Sequence, residues 1–137
     1  RVGNEGGCFG GVFPTVLGLS GATSNNMFDG MSIAGIFHAT KQSFEREPLY
    51  WEFYEKKGWR ATRFGKWKAI QNNLHKSHDG PIEVYDLYRD AGETFDLSQS
   101  HPHLVEQAKK IFKTASVPSE HYFWKYQQKG TTDIYNN

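Results

Sequence analysis

The stretch from Leu49 to Leu87 constrains this chain most, because aromatic and β-branched residues alternate there with charged ones and glycine marks the breaks. Leu49-Tyr50-Trp51-Glu52-Phe53-Tyr54 leads into Glu55-Lys56-Lys57-Gly58. Trp59 to Phe64 comes next, then Gly65-Lys66, then Trp67 to Gln71. A polar loop separates this run from Ile82 to Leu87. Alternation with period two is the pattern of a strand with one face buried, and short polar breaks containing Gly join strands as hairpins. The stretch predicts four antiparallel strands in a meander. On the first strand Leu49, Trp51 and Phe53 share one face and Tyr50, Glu52 and Tyr54 the other, so hydropathy alone puts the first set inside. The second strand has Arg60, Thr62 and Phe64 on one face and Trp59, Ala61 and Arg63 on the other. Neither face is purely apolar, and its register stays open.

An open sheet of this size needs a cover. His101-Pro102 starts a helix predicted to run to about Ser116. Proline suits a first helical turn, whose N–H groups have no partner within the helix. Leu104, Val105, Ala108, Ile111, Phe112 and Ala115 then recur at helical spacing and form one apolar stripe. Lys109, Lys110 and Lys113 fall toward the C-terminal end, where the helix dipole favours cations. Pro118 ends it. The fold class expected is α+β: a four-stranded antiparallel meander covered by one C-terminal helix, with short helices before the sheet.

Those short helices come from the first third. Arg1 to Gly11 is glycine-rich and reads as a loop or mobile end. No Gly-Lys-Ser/Thr comes after it, so a phosphate cradle is not indicated. Phe13 to Leu19 predicts a helix that starts near Pro14 and ends by Gly21. Ile33, Ile36 and Phe37 predict a second, capped by Asp29 or Ser32. Lys41 to Glu47 is a charged linker. This part is too fragmentary to hold a core of its own and reads as a segment that packs on something larger. The expected divisions are 1–47, 48–124 and a tail, 125–137. The chain begins with Arg1, so it is expected to be a piece or a processed form.

Bulk properties exclude some classes. Among 137 residues the formal net charge is +1. That is no electrostatic footprint for nucleic acid or an anionic membrane. Mean hydropathy is −0.69, and no apolar run is long enough to span a bilayer. The single cysteine, Cys8, permits no internal disulfide. Its neighbours supply neither base nor cation, so it reads as an unreactive thiol. Arg60, Arg63, Lys66 and Lys68 read as charges on the wet face of the sheet. His101 and His103 read as residues serving the helix end.

The candidate site comes from topology. In a meander the first and third connections lie at the same end of the sheet. Glu55 to Gly58 and Asn72 to Pro81 are therefore neighbours, and that end gathers Lys56, Lys57, His75, Lys76 and His78. Two histidines three apart, with Asp79 beside them, do not complete a metal site. On physics alone the chain is a small α+β domain with a basic, histidine-bearing end and no complete catalytic constellation.

Several motifs taken together resemble a known family. Pro48-Leu49-Tyr50-Trp51-Glu52-Phe53, Arg60-Ala61-Thr62-Arg63-Phe64-Gly65-Lys66-Trp67-Lys68-Ala69, and Tyr85-Asp86-Leu87 with Asp90, Gly92-Glu93-Thr94 and Asp96-Leu97 are similar to the C-terminal region of bacterial arylsulfatase-like sulfatases. Phe13-Pro14-Thr15-Val16-Leu17, Asp29-Gly30-Met31-Ser32 and Val117-Pro118-Ser119 fit the same resemblance, which covers about Phe13 to Trp124. It implies a four-stranded sheet with a packed helix, docked on a larger α/β catalytic domain that is the chain's principal partner. It also implies hydrolysis of sulfate esters by a formylglycine, made from Cys or Ser in a Cys/Ser-x-Pro/Ala-x-Arg motif, beside a calcium ion held by Asp and Asn. Cys8 precedes Phe9-Gly10-Gly11-Val12 and does not match that motif. No cofactor is expected in this chain; formylglycine and calcium belong to the missing domain. The chain alone is expected to be inactive, and its parent to be exported to a periplasmic or extracellular space. Lys57, His75, Lys76 and His78 are the expected substrate-binding residues, for a sulfated glycan or an aryl sulfate. The rival reading is a stand-alone module that binds carbohydrate or protein through its aromatic residues.

Overall fold

In the computed structural model, residues 8–28, 30–37 and 47–118 are described. The chain divides into two compact units, Arg1–Glu47 and Pro48–Asn137.

The first unit holds a 3-10 turn, Phe9–Gly11, and two helices, α1 (Val12–Ser20) and α2 (Ala34–Phe37). The turn corrects the expectation of a plain loop up to Gly11: the Gly11 N–H bonds back to the Cys8 carbonyl at 3.0 Å. Helix α1 starts two residues before Pro14, which puts that proline in the first turn, where it removes no intrahelical bond. It stops at Gly21, whose φ of 73° is left-handed. Thr15 is buried. Its hydroxyl donates to the Gly11 carbonyl at 2.5 Å and accepts the Ile33 N–H at 2.9 Å, so one side chain ties α1 to the segment before α2. Ser32 accepts the Ala34 N–H at 3.2 Å. The alternative cap, Asp29, lies outside the described residues. A Cβ on Gly30 would collide with the Gly10 carbonyl, so two glycine backbones meet where no side chain fits. The apolar residues of α1 do not form a single buried stripe. Phe13, Val16 and Leu19 are all exposed.

The second unit is the meander. Strands β1 (Leu49–Phe53), β2 (Trp59–Phe64), β3 (Trp67–Asn72) and β4 (Ile82–Asp86) pair antiparallel in the order β1-β2-β3-β4. Helix α3 (Pro102–Ala115) packs on one face. Gly58 and Gly65 take φ values of 69° and 58° in the first two connections, conformations that glycine adopts without a Cβ penalty. The outer edge of β4 is covered by the segment between it and α3. Leu97 donates its N–H to the Val84 carbonyl at 2.8 Å, and the Asp96 carboxylate accepts the Val84 N–H at 2.9 Å.

Directly paired residues share a face. Tyr50, Thr62, Ala69 and Val84 form one row, and Glu52, Arg60, Gln71 and Ile82 the next. These rows face α3. The core comprises Phe64, Ala69, Ile82 and Val84 from the sheet and Leu104, Ala108 and Phe112 from the helix, with Tyr50, Trp67, Val105 and Ile111 packed against it. This settles the open register of β2 and overturns the facing expected for β1. Tyr50 points to the helix, while Trp51 and Phe53 remain 40% and 37% exposed on the opposite face. Hydropathy misassigns the strand because Glu52 is accommodated under α3 by hydroxyl donors. Arg60 is also on the helix face rather than the wet one, its guanidinium 4.4 Å from the centroid of the Phe112 ring. Among the described residues no helix is long and apolar enough to cross a membrane.

The core contains one polar atom without a partner among the described residues, the hydroxyl of fully buried Thr62. Removing it costs no hydrogen bond and spares its desolvation. Thr62→Val is therefore expected to stabilise the sheet by about 1 kcal/mol in urea denaturation. Phe112→Ala is expected to cost about 3–5 kcal/mol, as emptying a well-packed aromatic site does. Equal losses from both would place the centre of the core elsewhere.

Candidate functional site

The structure brings the first and third connections together. Leu74 donates its N–H to the Gly58 carbonyl at 3.1 Å, and His75 donates its own to the Lys57 carbonyl at 3.1 Å. The loop after β3 is thus hydrogen-bonded to the turn after β1, and Lys57 and His75 are adjacent through their backbones. Lys57 and Lys76 are exposed; His75 and His78 are half-buried. A ring nitrogen of His75, Nε2, lies 2.6 Å from the Tyr54 carbonyl oxygen.

The support beneath this loop comes from residues that pattern reading passes over. Gln71, fully buried, donates through Nε2 to the carbonyls of His78 and Gly80 at 2.9 and 2.7 Å. Its Oε1 accepts from Arg60 Nε at 2.9 Å. Arg60 lies over Phe112. One chain of contacts therefore runs from the core to the histidine-bearing loop. Beside it, the Glu52 carboxylate accepts hydrogen bonds from the hydroxyls of Tyr50 and Tyr54 and, at 2.7 Å, from Ser116. Burial alone would raise the carboxyl's pKa. The hydroxyl bonds and the Arg60 charge outweigh it and hold the group below its ordinary range. Burial, reinforced by the Glu52 carboxylate, raises the Tyr50 phenol, which stays a donor. The sequence signal for this network was the run Tyr50-x-Glu52-x-Tyr54, in which a carboxylate sits between two same-face hydroxyls.

At the other end of the sheet, Lys66 bonds the buried Asp86 at 2.7 Å, and the Lys66 bond is the main cause that keeps that carboxyl below its usual range. His101 is the residue before α3, yet its side chain makes no capping bond. Its ring instead packs against Trp67, 5.5 Å between centroids. His101 serves the helix end through its backbone instead: its carbonyl accepts the Leu104 N–H at 3.0 Å, which leaves the imidazole to pack on the indole.

The groups implied by the family resemblance do not fit these residues. Among the described residues there is no group of three or more His, Cys, Asp or Glu able to hold a metal ion. Cys8, half-buried, is the residue before the 3-10 turn, and the sequence around it does not match the formylglycine motif.

No protein-family model and no curated protein matches the chain. Solved structures of sulfatases do match it. Ps i-CgsB in complex with k-i-k-neocarrahexaose is similar over 87% of this chain and 26% of its own, with 22% identity and a TM-score of 0.65. BT4656, in complex with its substrate D-glucosamine-2-N,6-O-disulfate, is similar over 87% of this chain and 24% of its own, with 16% identity and a TM-score of 0.57. BT33336S-sulf, from work on the metabolism of multiple glycosaminoglycans by Bacteroides thetaiotaomicron, is similar over 77% and 24%, with 17% identity and a TM-score of 0.54. The chain thus has a sulfatase-like subdomain fold and spans about a quarter of the length of the structures it matches.

The half-buried His78 gives the polar end a pH signature. Burial and then the Arg60 charge lower its pKa from the ordinary 6.5, against weaker opposing pulls from Glu52 and Asp79. The fold favours neutral imidazole, whereas the unfolded chain takes up a proton near the ordinary value. Stability is therefore full above that value and falls as pH drops through it toward the folded pKa. The urea midpoint is expected to fall between about pH 7 and 5.5, and His78→Gln to flatten that decline. The buried carboxylates act only at lower pH. An unchanged slope in the variant would assign the decline to another group.

Proposed function

We propose that this chain is the C-terminal subdomain of a sulfatase-like enzyme whose intact form hydrolyses sulfate esters. The observation that carries this reading is the second face of the sheet. Opposite α3 the sheet presents Leu49, Trp51, Phe53, Trp59, Ala61, Ile70 and Tyr85. Trp51, Phe53 and Trp59 are each exposed by 36% or more. The same face carries Arg63, Lys68 and Glu83, so its open apolar surface is an aromatic patch on β1 and β2, and a second layer over that patch would do there what the helix does on the other face. A contiguous row of exposed aromatics is the mark of a surface meant to be covered. The first unit has the same character, with Phe13, Val16 and Leu19 exposed on α1. The fold similarity to parts of much longer sulfatases supports the same conclusion.

In this reading a catalytic α/β domain covers the apolar face and supplies the nucleophile and calcium. The subdomain braces that domain and presents Lys57, His75, Lys76 and His78 at the mouth of the site. Two lysines at an exposed end suit an anionic substrate. The carbohydrate ligands named for the similar structures make a sulfated glycan the substrate class of choice.

Two measurements check the proposal. The isolated chain is expected to self-associate in sedimentation velocity and to leave 4-nitrocatechol sulfate intact, with Trp51→Ser and Trp59→Ser together shifting it toward monomer. An unsubstituted isolated chain that is monomeric and binds a sugar through those aromatics would instead establish the free-standing module. In the intact enzyme, alanine at Lys57 and Lys76 should raise KM for a sulfated glycan about tenfold, roughly the loss of two exposed charge contacts. An unchanged KM removes both lysines from the mouth.

A further inference from the structure

The end of the sheet opposite Lys57 holds a cleft of about 410 Å³, whose walls include Lys66, Trp67, Asp86, Arg89, Asp90 and Phe95. That volume is within the range of small-molecule sites.

Its polar groups are unevenly engaged. Both oxygens of Asp86 already accept, one from the Lys66 ammonium at 2.7 Å and one from the Tyr88 N–H at 3.1 Å. Both oxygens of Asp90 accept as well, from the N–H groups of Thr94 and Phe95 at 2.8 Å and from the Thr94 hydroxyl at 3.0 Å. The donors are in the opposite condition. An ammonium has three hydrogens, and Lys66 spends one on Asp86 while lying 4.3 Å from the centre of the Trp67 ring. The Arg89 guanidinium is exposed and makes no side-chain hydrogen bond among the described residues. Phe95 stands beside them with 73% of its surface exposed. A cleft with its acceptors engaged, its donors available and an aromatic wall selects an acceptor-rich ligand with an apolar face. Asp86 and Asp90 offset the charges of Lys66 and Arg89, so an anion must be held by directed hydrogen bonds rather than by net charge, and a single negative charge is repelled less than two. A guanidinium fork matches a planar oxyanion through two parallel hydrogen bonds.

We propose that this cleft binds a monovalent oxyanion carried on a single six-membered ring, with the anion on Lys66 and Arg89 and the ring face on Phe95. The ring is either aryl or sugar; both offer a flat apolar face to an aromatic side chain. The inference stands on this cleft alone and does not depend on the sulfatase reading. The Lys57 end and the apolar sheet face are separate surfaces, so failure here leaves their tests unaffected.

The test is an amide-resolved NMR titration of the full 137-residue chain, carrying Trp51→Ser and Trp59→Ser outside the cleft to keep it monomeric, with benzoate, glucuronate, acetate and benzyl alcohol. Benzoate or glucuronate is expected to shift Lys66, Trp67, Arg89 and Phe95 saturably, with a half-point about tenfold below that of acetate. The tighter of the two identifies the ring as aryl or sugar. Arg89→Ala should abolish saturation, and Phe95→Ala should reduce the ring acids to the level of acetate. Both side chains are exposed, so a dispersed spectrum elsewhere verifies the fold of each variant. Ring acids no better than acetate, equal binding by benzyl alcohol, or undiminished binding in either variant would overturn the proposal.

Discussion

The packing of Phe112 against the sheet is the contact on which the rest of the second unit depends. Its ring is almost fully buried, 6.0 Å from the Tyr50 ring centroid and 4.4 Å from the Arg60 guanidinium. Burying such a ring contributes roughly 2–3 kcal/mol from area alone. Here it also fixes a cation. Arg60 is held over the ring and directs Nε to Gln71, which in turn holds the carbonyls of His78 and Gly80. The loop with the candidate histidines is thereby anchored from beneath by the same contact that closes the core.

The two faces of the sheet differ in what completes them. Toward α3, apolar rows and a satisfied polar row alternate along the strands, so a helix with one apolar stripe suffices. On the other face Ala61 and Tyr85 are buried while Trp51, Phe53 and Trp59 stay open. Burial pushes the Tyr85 phenol up to about 12, with Glu83 adding to the shift. Phe53 and Trp59 stack on each other, 5.5 Å between ring centroids, at the edge of that face.

Most of the fold was legible because its signals are local. Strand alternation, Gly58 and Gly65 at the turns, and the stripe from Leu104 to Ala115 locate every element of the sheet and its helix to within a residue or two. The facing of β1 was not legible. Trp51 and Phe53 are more apolar than Tyr50 and Glu52, and only the partners of Glu52, namely Tyr50, Tyr54 and Ser116, make the less apolar side the inner one. Ser116 lies 64 residues away in sequence, and no window of strand length contains it. The same limit hid Arg60 and Gln71. The shared end of Lys57 and His75 was legible because it follows from topology alone. The opposite cleft was not, since it depends on how the turn after β4 folds back toward Trp67 and His101.

With α3 on one face and the open aromatics Trp51, Phe53 and Trp59 on the other, this sheet is one layer of a larger enzyme in the proposed reading. The most direct measurement is the coding sequence immediately upstream of Arg1. An open reading frame that encodes an α/β domain with a Cys/Ser-x-Pro/Ala-x-Arg motif is the expected result. A start codon directly before Arg1, or upstream sequence with no such domain, would contradict it.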